Sequence, residues 1–187
     1  MRPPILNKVL KLIEQYDLCG KVLEIGAYKD EQSARQVFTA PRFEYSNLDI
    51  SDSNVPSTIV GDITDCKNIE KESFDVVFCS DVFEHINRPW LATKEISRIL
   101  KPNGYALIFT VWSWRYHPLP IDYWRFSPEC LKFLFSEMEC IEADFDMSSR
   151  RDDIRGFWPD KRDYVPIDEL GGWRENWGVY FIGRKRR

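Results

Sequence analysis

Only two histidines occur in this 187-residue chain, His85 in "DVFEH" and His117 in "WRYHPLP", and both fall in loops expected at strand ends. Imidazole is the side chain that titrates nearest neutrality, so such residues can take a proton from a hydroxyl or ligate a cation. A single histidine is more often structural, but two out of two beyond strands shift the balance toward function. Carboxylates mark three further strand ends: Glu24 before Gly26 in "KVLEIGAYKD", Asp49 in "NLDI" and Asp62 in "GDI". One such acid is usually a helix cap or a surface residue. Three after consecutive strands point to a ligand, because open α/β sheets bind ligands beyond the carboxyl ends of their strands.

Asp49 stands 23 residues beyond Gly26, close to the usual place of an acid that accepts from both hydroxyls of a ribose. NAD and an adenosyl compound share that ribose, so the loop after the first strand must decide between them. A pyrophosphate needs bare backbone N–H groups at a positive helix end. Here Tyr28 would obstruct its approach, and Asp30 and Glu31 would repel it. S-adenosylmethionine carries no phosphate; it has a sulfonium cation and a zwitterionic tail, which an acidic rim suits. The loop reads against a dinucleotide.

The elements that must hold these residues follow from periodicity. Ile5 to Leu18 shows a helical apolar face, stopped by Gly20. Val22 to Ile25 reads as a strand, Ser33 to Phe38 as a helix, and "FEYSNLDI" and "TIVGDI" as strands ending on Asp49 and Asp62. "FDVVFCSD" is the most apolar run and suits a central parallel strand buried on both faces. A helix over Trp90 to Leu100 is terminated by "KPNG", and "YALIFTVW" is a fifth strand. Ser127 caps a helix in "SPECLKFLFSEM", and "CIEADFDM" and "GVYFIGR" alternate as closing strands. The pattern predicts one domain over 1–187: a three-layer Rossmann-like sandwich with a mostly parallel seven-stranded sheet and an antiparallel edge hairpin. Two segments fit no regular element, 113–126 and 148–177; such stretches in a compact domain are usually functional.

Composition sets the class. A hydrophobic share of 43% and a charged share of 30% describe a soluble globular protein. No apolar run approaches the roughly 20 residues that span a bilayer. The N-terminal stretch reads as an amphipathic helix, not a signal peptide. Five scattered cysteines without a CxxC argue for reduced thiols and a cytoplasmic setting. A net charge of -4 gives no general attraction to nucleic acid, and the terminal "RKRR" reads as a solvated tail.

In order, "VLEIGAYKD", "NLDIS", "GDITD", "FDVVFCSDVFEHI" and "LKPNGYALIFTVW" resemble class I S-adenosylmethionine-dependent methyltransferases, of the type 11 kind, over roughly residues 20 to 135. The resemblance implies that Glu24, Gly26, Ala27 and Tyr28 face the methionine part and Asp49 binds the ribose. Ile50 and Ile63 would sandwich the adenine, Asp62 would accept from its amino group, and Ser80 and Asp81 would close the pocket. The chain departs from the family in lacking the second and third glycines of the first loop, where Tyr28 and Asp30 stand.

Because substrate loops follow the fifth strand in this family, His117 is the preferred general base, with Asp81 and His85 completing the catalytic set. "DVFEH" also resembles the ExxEH pattern by which some ubiquinone-pathway and small-RNA methyltransferases bind magnesium; a divalent cation on Asp81, Glu84, His85 and His117 is the alternative. Glu84 and His85 are neighbours on a helix, which argues against a shared target. "HPLPIDYWRFSPECLKFLF" resembles a segment of methyltransferases in surface-polysaccharide and other sugar-modifying pathways. Trp112, Trp114, Tyr116, Tyr123 and Trp124 would stack on the acceptor, and Asp122 and Arg125 would fix its polar groups. Alternatively Trp124 and Phe126 are core residues and Arg125 pairs with a carboxylate. The acceptor expected is a small molecule, a sugar or glycan hydroxyl, handled by a monomer or homodimer. The competing readings are an N-methyltransferase, a non-catalytic S-adenosylmethionine-binding subunit and a nicotinamide oxidoreductase.

Overall fold

The structure is a computed structural model that describes residues 3–114, 116–118, 120–146 and 177–187. The lid or dimer segment expected at 148–177 therefore lies outside the described residues, apart from Trp177.

Helix α1 (Pro3–Gln15) ends three residues earlier than its apolar face. Asp17 takes a left-handed backbone conformation (φ 47°) that turns Leu18 into the core. Strand β1 (Gly20–Ile25) follows, then β2 (Phe43–Asp49), β3 (Thr58–Val60) and β4 (Phe74–Ser80). Helix α2 (Pro89–Ile99) leads directly into β5 (Leu100–Ser113), so "KPNG" lies inside a strand. Pairing resumes past a register shift between Phe74 and Val76, and the turn residues are absorbed there. Helix α3 (Pro128–Leu134) starts as expected, with the Ser127 hydroxyl accepting from the Cys130 N–H at 3.1 Å. Strands β6 (Met138–Asp146) and β7 (Trp177–Lys185) close the sheet.

The sheet order is β3-β2-β1-β4-β5-β7-β6. β7 is antiparallel to both β5 and β6, and all other pairs are parallel. The expected mostly parallel seven-stranded sheet with antiparallel pairing at one edge is the fold observed. β4 is central, as its composition required. Val77 and Cys79 face one core cluster with Leu23, Ile25, Ala106 and Ile108, under α2 and α3. Val76 and Phe78 face the other with Val22, Leu107 and Phe109, under α1. Burial on both faces is why this run shows no polar alternation.

Two expectations fail locally. The helix predicted over Ser33 to Phe38 is two single 3-10 turns, Asp30–Gln32 and Ala34–Gln36. The buried Glu24 carboxylate takes the Ala34 N–H at 2.7 Å, so this backbone is tied to β1 by a side chain, outside any helical ladder. β3 stops at Val60, two residues short of Asp62, where Gly61 donates to the Asp49 carbonyl at 2.8 Å and turns the chain.

Candidate active site

Strand order reverses between β1 and β4, since β2 and β3 lie on one side of β1 and β5 lies beyond β4. At such a switch point the loops after the two central strands part, which leaves a crevice. Gly26 marks the spot. Its φ is 79°, and a Cβ built there would lie 2.5 Å from Cγ2 of Val82 in the loop after β4. The two loops therefore touch where neither strain nor space admits a side chain.

On the β1–β2 side, polar groups are answered from within. Glu24 Oε2 accepts from the Ala34 N–H and from the Tyr45 hydroxyl at 2.5 Å. Burial raises the Glu24 pKa, and these two donors oppose the rise. Asn47, fully buried, accepts the Ala27 N–H at 3.1 Å and donates to the Ala27 carbonyl at 2.9 Å and to Thr58 Oγ1 at 3.0 Å. Asn47 and Tyr45 were missed in the sequence. The only signal was a polar residue in a buried strand, and such a residue must find partners.

Asp49 is nearly buried; its Oδ1 accepts from the Ser51 N–H and hydroxyl at 2.9 and 3.0 Å. Its Oδ2 takes no hydrogen bond among the described residues. Asp62 is exposed and caps its own turn by accepting the Thr64 N–H at 2.8 Å. Ile50 stands 66% exposed, whereas Ile63 is buried in the core, so the two expected faces of an adenine slot differ in access. Tyr28 is exposed. Asp30, read as a repelling charge, is bound by Arg35 through two contacts of 2.9 and 3.0 Å, which hold its carboxyl below the usual range. The rim is less acidic than its sequence.

On the β4–β5 side the arrangement changes. Asp81 adopts φ 57°, a conformation costing a non-glycine residue about 1 kcal/mol and concentrated at functional sites. Its N–H donates to Phe109, and its Oδ2 accepts from Ser80 at 3.2 Å. A 3-10 turn, Phe83–His85, follows. Glu84 is fully buried: Oε2 accepts the Thr110 hydroxyl at 2.7 Å, and Oε1 has no hydrogen-bond partner among the described residues. Thr110 also escaped notice, as one hydroxyl in an apolar run.

The Glu84 carbonyl accepts the Tyr123 and Trp124 N–H groups, which fastens the irregular segment after β5 over the 3-10 turn. His117 is brought in by that segment. Its Nε2 lies 3.7 Å from Glu84 Oε1 and its Nδ1 3.2 Å from Asp122 Oδ2. His85 Nδ1 bonds the Ile121 carbonyl at 2.7 Å, and the two imidazoles meet edge to face at 4.9 Å. One ligand atom from each of Glu84, His85 and His117 falls within a 4.8 Å cluster. The ligand atoms of the two chain neighbours thus lie close together, and the third member arrives from another loop. Asp81 is not part of the cluster.

The acceptor-binding set divides. Tyr116 and Tyr123 are exposed. Asp122 and Arg125 instead serve the segment itself. Their side chains pair bidentately, Asp122 takes the His117 N–H at 2.8 Å, and Arg125 donates to the Trp114 carbonyl at 3.0 and 3.1 Å. They hold the segment's shape, and the guanidinium keeps the Asp122 carboxyl far below its ordinary value. Phe126 is core, and Trp124 pins its indole N–H on the Ile86 carbonyl at 2.9 Å. Trp112 packs edge-on against Phe145, which occupies one side of its ring. A depression of about 330 Å³ lined by Asn103, Glu139 and Arg184–Arg187 lies where β5 begins and β7 ends, opposite to this site.

The family model described as a methyltransferase domain matches residues 18–108, from the turn before β1 into β5. No curated protein matches the chain in sequence. Among solved structures, the YcgJ protein of Bacillus subtilis is similar at TM-score 0.68 and 17% identity, with all of both chains covered. A Haemonchus contortus phosphoethanolamine N-methyltransferase, in complex with phosphomonomethylethanolamine and S-adenosylhomocysteine, is similar at 0.65 and 18%, over 97% of this chain and 53% of its own. The [4+2]-cyclase SpnF is similar at 0.66 and 15%, over 96% of this chain and 80% of its own. Identities this low speak for the fold; the reaction rests on the site.

Proposed function

We propose that this S-adenosylmethionine-dependent methyltransferase methylates a hydroxyl of a small molecule, a sugar or related polyhydroxylated metabolite, presented to the cluster of Glu84, His85 and His117. The observation that carries the reading is this convergence of acceptor atoms beside the switch-point glycine. A hydroxyl is a donor, and the buried Glu84 Oε1 and the imidazole nitrogens of the cluster are groups able to accept from it. An amine acceptor needs only to be neutral and calls for no such group.

The first loop fits the donor. Gly26 leaves the strand tip open to close approach, Asp49 keeps one carboxylate oxygen for a ribose, and Ile50 offers an exposed apolar face. When bound, S-adenosylmethionine supplies a methyl group on a positively charged sulfur. The chain's residues do the rest: Glu24 and Asn47 fix the loop, and Val82 sets the distance between the two halves. His117, oriented by Asp122, governs ionisation of the hydroxyl. Tyr116 and Tyr123 are exposed on the same segment, where a sugar face can stack on them. Alignment of this kind is worth several kcal/mol of barrier.

The test pairs calorimetry with turnover. S-adenosylhomocysteine is expected to bind and NADH not to. His117→Ala should lower methyl transfer to a hydroxylated acceptor pool about 100-fold while leaving S-adenosylhomocysteine affinity unchanged. Unaltered turnover, or a +14 Da product on nitrogen, would refute the assignment.

A further inference from the structure

We infer that Arg125 positions the His117 imidazole for the methyl transfer, acting through the Asp122 carboxylate. It rests on the proposed reading of His117 as the group that meets the acceptor hydroxyl, and carries that reading to the residue behind it.

Between the end of β5 at Ser113 and the start of α3 at Pro128, the described residues belong to no helix or strand. No ladder therefore fixes where a side chain of this segment stands, and side-chain bonds must do so. Asp122 does it for His117. One oxygen, Oδ2, takes the His117 N–H at 2.8 Å and stands 3.2 Å from Nδ1 of the same residue. Backbone and ring are held to one point, which leaves the ring with Nε2 at 3.7 Å from Glu84 Oε1 and its edge against His85. An anchor is only as firm as its own support. The Asp122 side chain is 1% exposed, and Arg125 pairs with both of its oxygens.

A guanidinium offers five N–H groups in one rigid plane. Here Nη1 and Nη2 grip the two Asp122 oxygens, Nε and Nη2 donate to the Trp114 carbonyl at 3.1 and 3.0 Å, and Nη1 donates to the Trp124 carbonyl at 2.7 Å. Trp114 directly follows the last residue of β5. Trp124 places its backbone N–H on the Glu84 carbonyl and its indole N–H on that of Ile86. One planar group thus fastens the anchor of His117 to the sheet and to the turn after β4.

Charge alone does not accomplish this. A lysine ammonium is a single point that reaches the carboxylate or the carbonyls but does not hold both in one plane. A base must stand within about 2.6–3.2 Å of the hydroxyl it serves, and a displacement of about 1 Å can cost about 100-fold in rate. Arg125 sets that distance by its shape.

The test labels the full chain with 15N in its histidines. It contains only two, so every ring signal belongs to His85 or His117, and His117→Ala tells them apart. In Arg125→Lys the His117 ring signals should move toward those of free imidazole, while His85 keeps the signature of its bond to the Ile121 carbonyl. Methyl transfer to the same hydroxylated acceptor pool should fall about ten-fold in kcat, with the KM for S-adenosylmethionine unchanged within about two-fold. Because Arg125 acts through Asp122, the double variant Asp122→Asn with Arg125→Lys should be no slower than Asp122→Asn alone. S-adenosylhomocysteine affinity on the same samples reports that each variant is folded, and Arg125→Gln replaces the lysine variant if that affinity is lost. His117 ring signals that stay at the parent's positions overturn the inference. So do losses that add in the double variant, or a lysine variant with the parent's turnover beside an inactive His117→Ala. In each of these cases the proposed function stands. Where His117→Ala itself keeps full turnover, the proposed function falls, and the ring signals alone decide whether Arg125 positions His117.

Discussion

Beyond β1 and β2, polar side chains are answered by the fold itself. Asn47 holds both backbone groups of Ala27, Glu24 holds Ala34, and Asp49 commits one oxygen to Ser51 and keeps the other. Beyond β4 and β5, Glu84 Oε1 is buried with no hydrogen-bond partner among the described residues, two imidazoles stand close by, and the paired charges lie in a layer behind them, Arg125 with Asp122. The first side is a finished cradle with one open hook. The second keeps one buried carboxylate oxygen without a hydrogen-bond donor among the described residues. A cofactor that is always the same can be met by a rigid, satisfied surface. The acceptor end of a transferase must instead change the protonation state of what it holds.

The contrast can be broken most sharply at the contact between the halves. Gly26→Val places atoms where Val82 lies and forces a left-handed β-branched residue. S-adenosylhomocysteine binding should vanish in calorimetry, and thermal unfolding should show a loss of more than about 3 kcal/mol. Asn47→Ala orphans both backbone groups of Ala27 and should cost about 2–3 kcal/mol in denaturant unfolding. Asp49→Ala removes the hook together with the two bonds to Ser51: stability should fall by about 1 kcal/mol, while S-adenosylhomocysteine affinity falls roughly thirty-fold, or about 2 kcal/mol.

The smallest effect lies on the other side. Arg125→Met leaves Asp122 without its guanidinium, and the half-buried pair should account for about 1.5 kcal/mol. Since Asp122's folded pKa is depressed, its stabilisation is present above the unfolded carboxyl value near roughly 4 and fades as pH falls through the folded value. The gap between variant and parent in urea should be constant from pH 5 to 7 and narrow below about pH 4. Cofactor affinity should not move; if it does, the halves are not independent.

Much of the cofactor side was legible because its information is local. Apolar runs and turn residues fix where these two strands end, and a strand end fixes the place of its acid, so Glu24, Gly26 and Asp49 could be located at the tips of β1 and β2 by position. Ile63 and Asp62 were less well placed, since the length of β3 depends on how Gly61 turns back to Asp49. Asp122 and Arg125 read as acceptor contacts because charge in a loop looks free until its partner is seen.

The sequence by itself determined the sheet, the order of its strands and the acids at its first two tips, because hydrophobic periodicity acts between near neighbours and chain order constrains topology. Only the tertiary structure decided that Glu84, His85 and His117 meet and which carboxylates are already paired. Those facts hang on backbone bonds between Glu84 and the segment at 123–124 and on one threonine of β5. Contacts across such separations in the chain leave no periodic trace, because it is the packed sheet, and no local pattern, that brings the two loops to one place.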